Sequence, residues 1–176
     1  MKRVADGDER AFADLVQRYS PRLLSLAWRL LGNRADAEDA LQRALLRLFL
    51  SAASYRPDWA VSTWLYRITT NVCVDEMRRR AARGDSRDQA EDGGTDGQGS
   101  LFSDASGTGA TGGSLDLQRA LRSVPREARI LLALRYVDGL TYRELARVRG
   151  ISVNTVKSQL ARGKAILRAA LQGDTP

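Results

Sequence analysis

The chain has 176 residues, of which 28 are Lys or Arg, 21 are Asp or Glu, none is His and one is Cys, and its net charge is +7. Without His and with a single Cys, one chain cannot build a Cys/His zinc site, a His-dependent catalytic pair or an intramolecular disulfide. The hydrophobic content of 43% is sufficient for a folded core. The positive charge predicts a polyanionic partner such as a nucleic acid.

The first residues are strongly charged, which predicts that no signal peptide is present. No run of about 18 apolar residues occurs, so we expect no membrane insertion. A single Cys fits a reducing compartment, and we expect a cytoplasmic protein.

The charge is distributed unevenly along the chain. Residues 1–83 carry a net charge of +5 and residues 115–176 carry +7, whereas residues 84–114 carry −5 and contain 9 of the 15 glycines. A segment rich in Gly, Ser, Asp and Thr cannot bury enough apolar surface to offset the entropy lost on ordering. We therefore predict two small basic domains joined by a flexible acidic Gly-rich linker over 84–114. Within it, the apolar pair Leu101-Phe102 is either chance or a short docking segment.

The first domain is predicted to be helical. Apolar residues at three- and four-residue spacing between Phe12 and Leu31 predict an amphipathic helix, which Pro21 kinks or restarts. Gly32-Asn33 is predicted to end it. The next helix is predicted over 35–51, with acidic residues in its first turns, where the helix dipole favours anions.

A loop containing Pro57 precedes the third predicted helix, which would be capped by Ser62 or Thr63 and would run to about residue 83. Trp64 belongs to the apolar face of that helix and is predicted to lie in the core. Tyr66 faces elsewhere and is predicted to lie at the surface.

Aromatic and basic residues are interleaved in this loop and helix. Bases stack on aromatic rings and cations hold phosphates, so the composition suits a single-stranded nucleic acid. The alternative is an aromatic core beside a solvated helix end. Trp59, in the Pro-containing loop, is the better candidate for an exposed contact. The residues concerned are Tyr55, Trp59, Trp64, Tyr66, Arg67 and the run Arg78-Arg79-Arg80.

The second domain is also predicted to be helical. Apolar residues between Leu117 and Val124 end at Pro125, which can occupy the first position of the next helix. That helix is predicted to continue to Asp138-Gly139. Neither domain shows the alternation typical of strands, so the predicted fold is all-α.

Residues 141–160 have the spacing of a helix-turn-helix. Thr141 and Glu144 have the spacing of a capping box at the start of the first helix. Ala146 is small where the two helices would cross, and Gly150 can supply the positive φ that the turn requires.

The second helix of this motif is predicted to begin after Ser152, with Ile151 and Val156 filling the core beneath it. Such a helix enters the major groove of DNA, where Asn and Gln pair with adenine, and Lys or Arg with guanine or phosphate. The alternative is an ordinary helical hairpin with a solvated polar face. The candidate DNA contacts are Arg143, Ser152, Asn154, Thr155, Lys157, Ser158, Gln159, Arg162 and Lys164.

Four stretches follow one another in a specific order and spacing. They are Gly7-Asp8-x-x-Ala11-Phe12-x-x-Leu15-Val16-x-Arg18-Tyr19, Asp36-Ala37-Glu38-Asp39-Ala40-x-Gln42, Ser62-Thr63-Trp64-Leu65-Tyr66-Arg67-Ile68-x-x-Asn71 with Asp75 and Arg78-Arg79, and Leu140-Thr141-Tyr142-x-Glu144-Leu145-Ala146 through Thr155-Val156-Lys157-Ser158. With them, nearly the whole chain except the linker resembles the extracytoplasmic function (ECF) group of bacterial sigma factors. These are promoter-specificity subunits of RNA polymerase.

The resemblance implies sigma region 2 over 1–83 and sigma region 4 over 115–176, in a protein that directs transcription initiation without enzymatic activity or a cofactor. Its implied partners are core RNA polymerase (β′ clamp and β flap), promoter DNA and an anti-sigma factor. The linker resembles the segment that passes through the polymerase channels. The residues implied in binding the clamp are Asp36, Glu38, Asp39, Gln42, Arg43 and Leu46.

The resemblance also implies how the promoter is read. The loop at 53–61 and the following helix resemble the part that captures an unstacked base of the −10 element, and the helix at 152–164 resembles the reader of the −35 element. The residues implied in −10 binding are Tyr55, Trp59, Ser62, Thr63, Arg67, Asn71, Arg78, Arg79 and Arg80.

The sequence departs from the family pattern at two positions. Arg43 stands where the family usually has Glu or Asp, and Gln159 stands where it commonly has Arg. The N-terminus is also short, so Met1 is not required to be the native start. Two alternatives compete with a sigma factor. One is a stand-alone helix-turn-helix transcription regulator, which would leave residues 1–83 without a role. The other is a sigma-like interaction protein that binds an anti-sigma factor without driving transcription.

Overall fold

The computed structural model describes residues 1–83, 117, 120–121 and 123–172. Contacts divide the chain into two compact units, Met1–Gly99 and Ser100–Pro176. Every regular element in the described ranges is helical, which confirms the all-α prediction. The predicted linker, with Leu101-Phe102, lies outside the described residues.

The regular elements of the two units are given in chain order. The first unit contains α1 (Lys2–Ala5), α2 (Glu9–Leu31), α3 (Arg34–Leu50), a 3-10 turn (Ala52–Ser54) and α4 (Val61–Ala82). The second contains α5 (Arg126–Tyr136), α6 (Tyr142–Arg149) and α7 (Val153–Gln172), and the described residues between 117 and 123 are helical as well.

In the first unit, α2, α3 and α4 pack against one another around a core of aliphatic side chains. Leu26, Leu48 and Val72 are at most 1% exposed. Because α4 contacts both α2 and α3, it is buried on more than one side. Trp64 lies in this core, as predicted, but Tyr66 is only 6% exposed, so its predicted surface position is wrong.

Neighbouring residues explain where α2 ends and α3 begins, but not where α4 begins. Pro21 lies inside a continuous α2, and Gly32 ends that helix with a φ of 79°. Asn33 caps α3 by accepting a hydrogen bond from a backbone N–H of the first turn. The predicted cap at Ser62 or Thr63 is wrong, because α4 begins at Val61 and its N-cap, Ala60, offers no side-chain acceptor.

The short helix α1 packs on α2 and on the 3-10 turn. Val4 is 3% exposed and Ala52 of the turn is 4% exposed. Asp8 caps α2 by accepting a hydrogen bond of 2.9 Å from the backbone N–H of Ala11. That bond, followed by the pairing with Arg3, lowers the pKa of Asp8.

In the second unit, α7 packs against both α5 and α6. Leu134, Leu145 and Leu160 are at most 1% exposed and form the centre of its core. Pro125 is the N-cap of α5 rather than its first helical residue, so the helix begins one residue later than predicted. Over the described residues, no helix is both long and apolar enough to cross a membrane.

The predicted helix-turn-helix is present as α6, a turn and α7. Thr141 and Glu144 form the capping box, and Gly150 has a φ of 68°. The backbone N–H of Ile151 donates to the carbonyl of Ala146, which closes the turn. Val156 is fully buried, as predicted, whereas Ile151 is half-buried.

Candidate polymerase and DNA surfaces

The solvent-facing side of α3 changes in character along the helix. Glu38, Asp39 and Gln42 are exposed in its first half. In its second half Leu46 is 59% exposed and Leu50 is 73% exposed. Apolar side chains exposed on successive turns are typical of a protein contact surface. The helix therefore presents an acidic half and an apolar half to solvent.

Asp36 lies at the junction of α3 and α4 rather than on this exposed side. The side-chain amide of Asn33 donates to its carboxylate, and Arg80 forms an ion pair with it. Arg80 also donates to the carbonyl of Leu31 at 3.1 Å. The negative charge of Asp36 is therefore matched within the domain.

Arg43 also points toward α4. Its side chain is 28% exposed and forms ion pairs with Asp39 at 3.0 Å and with Glu76 at 2.9 Å. Asp39 itself is 67% exposed. Of this pair, the acid faces solvent and the arginine spans the two helices.

The loop before α4 is fixed by aromatic contacts. The Tyr55 hydroxyl donates to the carbonyl of Trp59, and the Tyr55 ring meets Trp64 edge to face at 5.4 Å. The guanidinium of Arg67 lies over the Trp59 ring, 5.0 Å from its centroid. Trp59 and Arg67 are both half-buried, so part of each remains accessible.

Further along α4, the predicted −10 residues divide by exposure. Thr63 is 1% exposed and belongs to the core, whereas Ser62 is half-buried and Asn71 is exposed. Asn71 lines a shallow concavity of about 350 Å³ together with residues from the end of α3 and its own helix. The other lining residues are Arg47, Leu50, Ser51 and Ile68.

The arginine run at the end of α4 is not uniform. The Arg78 side chain is 69% exposed and that of Arg79 is 48% exposed, whereas that of Arg80 is only 17% exposed. Arg79 pairs with Glu76 at 2.7 Å. Arg78 and Arg79 therefore present charge to solvent, while Arg80 is directed toward the start of α3.

The polar side of α7 is open to solvent. The Ser152 hydroxyl accepts a hydrogen bond of 3.0 Å from the backbone N–H of Thr155, which confirms the predicted cap. Thr155 and Gln159 are half-buried. The remaining predicted −35 residues are exposed: Arg143, Ser152, Asn154, Lys157, Ser158, Arg162 and Lys164. The structure thus brings one residue of α6 and a polar row of α7 onto accessible surface.

Comparison with known families matches both units. The model of Sigma-70 region 2 matches residues 15–83, and that of Sigma-70 region 4 matches residues 114–167. The ECF RNA polymerase sigma factor SigW of Bacillus subtilis is 34% identical over 98% of this chain and 95% of its own length. The chain belongs to the ECF sigma factor family. The ECF RNA polymerase sigma-E factor of Escherichia coli is 30% identical over 98% of this chain and 92% of its own.

Solved structures support the same fold for this sigma factor. The sigma factor RpoE of Bartonella quintana aligns with a TM-score of 0.71 over 94% of this chain and 99% of its own, at 22% identity. The protein CnrH aligns with a TM-score of 0.70 over 99% of this chain and 96% of its own, at 24% identity. Both were solved in complex with another protein, the anti-sigma factor NepR and the cytosolic domain of CnrY.

Several contacts of this sigma factor could not be found by sequence reasoning. Arg47 and Ser51 line the concavity beside Asn71, but no periodicity singles them out. Arg149 forms a two-pronged ion pair with Glu127, with nitrogen–oxygen distances of 2.9 to 3.2 Å. Neither the lining of the concavity nor this ion pair can be predicted from sequence, because the residues that meet are distant along the chain.

We next consider the groups among the described residues that could bind a metal or act as a nucleophile. Among the described residues, no group of three or more His, Cys, Asp or Glu is placed to hold a metal ion. Cys73 is fully buried, and its burial raises the pKa of the thiol to about 12. The thiol is therefore a small apolar core group at neutral pH.

Proposed function

We propose that this ECF sigma factor directs core RNA polymerase to promoters by binding the polymerase and reading the −35 and −10 elements. The observation that carries the proposal is that both sigma regions occur in one chain that aligns with ECF relatives over almost all of its length. A stand-alone helix-turn-helix regulator would leave the matched first unit without a role. The protein would work as a non-catalytic subunit in the cytoplasm.

The division of labour follows the two domains. Residues 1–83 would form sigma region 2, residues 84–114 an acidic linker, and residues 115–176 sigma region 4. The linker would occupy the basic channels of the polymerase, because its acidic charge is complementary to them. The β flap of the polymerase would hold the second domain.

The exposed side of α3 would bind the β′ clamp. Its acidic half offers Glu38 and Asp39, its apolar half offers Leu46, and Gln42 lies between them. Such a surface can combine charge complementarity with apolar burial. Asp36 and Arg43, whose charges are matched inside the domain, would support this helix.

The first unit would capture the melted −10 strand. Trp59, stacked under Arg67, offers an aromatic surface and a cation next to each other, a combination suited to unpaired bases and phosphates. Asn71 offers an amide that can hydrogen-bond a base edge, and Arg78 and Arg79 offer charge for the backbone. Flipping a base costs a few kcal/mol, which stacking and polymerase binding would offset.

The second unit would read the −35 duplex. A helix with exposed Asn154, Lys157 and Ser158 after a capped N-terminus suits the major groove and its flanking phosphates. An anti-sigma factor is a further proposed partner, since the aligned RpoE structure includes one. It would hold the sigma factor inactive by covering the same surfaces.

Transcription from genomic DNA tests this function. Core polymerase of the host bacterium, incubated with its fragmented genomic DNA and nucleotides, should start transcripts at discrete positions only when the protein is added. Sequencing the 5′ ends should reveal a shared sequence upstream of the starts. If no protein-dependent transcript forms over a range of salt and temperature, the protein does not act as a sigma factor.

Direct binding to core polymerase tests the proposed surface of α3. Leu46→Asp should weaken association with core polymerase by about tenfold or more, because it places a charge in an apolar contact. Ala13→Asp places the same charge at an exposed position of α2, which is assigned to no contact, and is the control. Equal association of both variants would remove the second half of α3 from the polymerase interface.

A further inference from the structure

Arg43 departs from the residue usual in the family, and its surroundings suggest what it does instead. Its side chain is 28% exposed, against 67% for Asp39 one turn earlier on the same helix. It reaches across to α4 and pairs with Glu76, 33 residues further along the chain. The arginine is therefore directed into the domain, while the neighbouring acid is directed outward.

Glu76 is the centre of a charge cluster. Its side chain is 12% exposed, and one carboxylate oxygen pairs with both Arg43 at 2.9 Å and Arg79 at 2.7 Å. The other oxygen lies 3.9 Å from Arg80, which pairs with Asp36. The cluster thus contains three arginines and three acids: Arg43, Arg79, Arg80, Asp36, Asp39 and Glu76. It is neutral overall.

An acid at position 43 would change this balance. The cluster would then hold four acids and two arginines, and the carboxylate of Glu76 would lose one of the two cations on its paired oxygen. In a partly buried site an unmatched carboxylate is strongly unfavourable, so Glu76 would hold its remaining cations more tightly. Arg79, which already pairs with that oxygen at 2.7 Å and is 48% exposed, is the cation that would be held more tightly.

We propose that Arg43 is a positioning residue that shares the carboxylate of Glu76 with Arg79, so that Glu76 holds the guanidinium of Arg79 loosely enough for it to contact the melted promoter strand. Arg43 is not itself a polymerase contact. This inference rests on the proposed function, because it concerns how the first unit holds DNA. It predicts that restoring the acid usual in the family harms this protein.

The test compares Arg43→Glu, Arg43→Gln and Arg43→Lys in the full-length protein. Promoter opening is measured at saturating core polymerase, by permanganate reactivity of unpaired thymines, and the affinity for core polymerase is measured separately. Arg43→Glu should reduce opening by about tenfold, the order of one lost charged contact with DNA. Arg43→Gln should give a smaller loss, and Arg43→Lys should keep most of the activity. Arg22→Glu, a charge reversal at an exposed position of α2, is the matched control.

Two readouts separate positioning from a structural role. The salt dependence of opening should become shallower in Arg43→Glu, by about the contribution of one phosphate contact. In addition, Arg43→Glu combined with Arg79→Gln should open promoters no worse than the poorer single variant, because both changes remove the same cation. A role in folding alone would lower the melting temperature and leave the salt slope unchanged, and this would overturn the proposal.

Other results would also overturn the proposed role of Arg43. If the losses of Arg43→Glu and Arg79→Gln multiply, Arg43 acts through a different group. If Arg43→Glu changes core affinity while opening at saturation stays normal, Arg43 is a polymerase contact. Should Arg43→Glu fail to fold, Arg43→Gln and Arg43→Lys carry the same comparison. A wild-type protein that supports no transcription overturns the proposed function as well, whereas an active wild type with insensitive variants overturns only this inference.

Discussion

At Gly163, the backbone of α7 lies directly against α5. A Cβ at this position would be 3.0 Å from the Cβ of Ala128 and 3.2 Å from Cδ1 of Leu132. Ala128 and Leu132 are at most 2% exposed, so neither has open space to move into. Here the glycine is needed for close helix packing, because the core of the second unit is already filled at this point.

We expect Gly163→Leu to lower the free energy of unfolding of the second unit by about 2 kcal/mol or more, because overpacking forces neighbouring helices apart. Ala165→Leu, at an exposed position of the same helix, is the control and should change it by less than about 0.5 kcal/mol. Urea unfolding followed by circular dichroism measures both. Equal effects would show that α5 and α7 have room at Gly163.

Residues governed by neighbouring sequence could be predicted from it. The capping box of Thr141 and Glu144 and the positive φ of Gly150 depend on a few adjacent residues, and all were found from their spacing. Arg43 could not be interpreted in this way, because its partner Glu76 is brought near only by the packing of α3 on α4. Gly163 carries no sequence signal for the same reason.

At the scale of elements, α4 shows why periodicity was an incomplete guide. A helix with one buried side gives a clear apolar stripe, but α4 packs on two helices and buries residues on a wider arc. Tyr66 and Thr63 fall in that wider arc and are 6% and 1% exposed. The existence of the helix could be predicted, whereas its burial required knowledge of its neighbours.

The short helix α1 supports the part of the first unit that we assign to base capture. It packs on the 3-10 turn, and the loop with Tyr55 and Trp59 follows that turn directly. A displaced turn would shift the loop, and small misplacements of binding groups are costly. The role of α1 in this interpretation is to hold the loop in place.

Val4→Asp should therefore impair promoter opening more than polymerase binding. A carboxylate at this buried position is unfavourable, so α1 would detach from the turn, and we expect opening to fall by roughly tenfold. Lys2→Asp places the same charge at an exposed position of α1 and should have little effect. Opening and core affinity are measured side by side. A parallel loss of both would show instead that Val4 supports the whole domain.

At the scale of the molecule, the two units offer different chemistry to DNA. The first offers an aromatic ring under a cation, and a concavity lined by Asn71, which suit unpaired bases. The second offers a polar helix after a tight turn, which suits a duplex groove. Each unit alone would contact few nucleotides. The free protein should therefore bind promoter DNA weakly, and the two contributions should combine only when both units are held on one polymerase.

This separation predicts that variants in the two units impair binding of the holoenzyme to different templates. Two templates are built from a mapped promoter: a complete duplex, and a pre-melted −10 fragment that lacks the −35 element. Lys157→Ala should weaken binding only to the complete duplex, by about 1 kcal/mol, and should lower the salt slope by about 0.9 if Lys157 contacts a phosphate. Trp59→Ala should weaken binding to the pre-melted fragment by about 1–3 kcal/mol, because stacking is lost. If Lys157→Ala also weakens the fragment without a −35 element, the units do not divide promoter reading in this way.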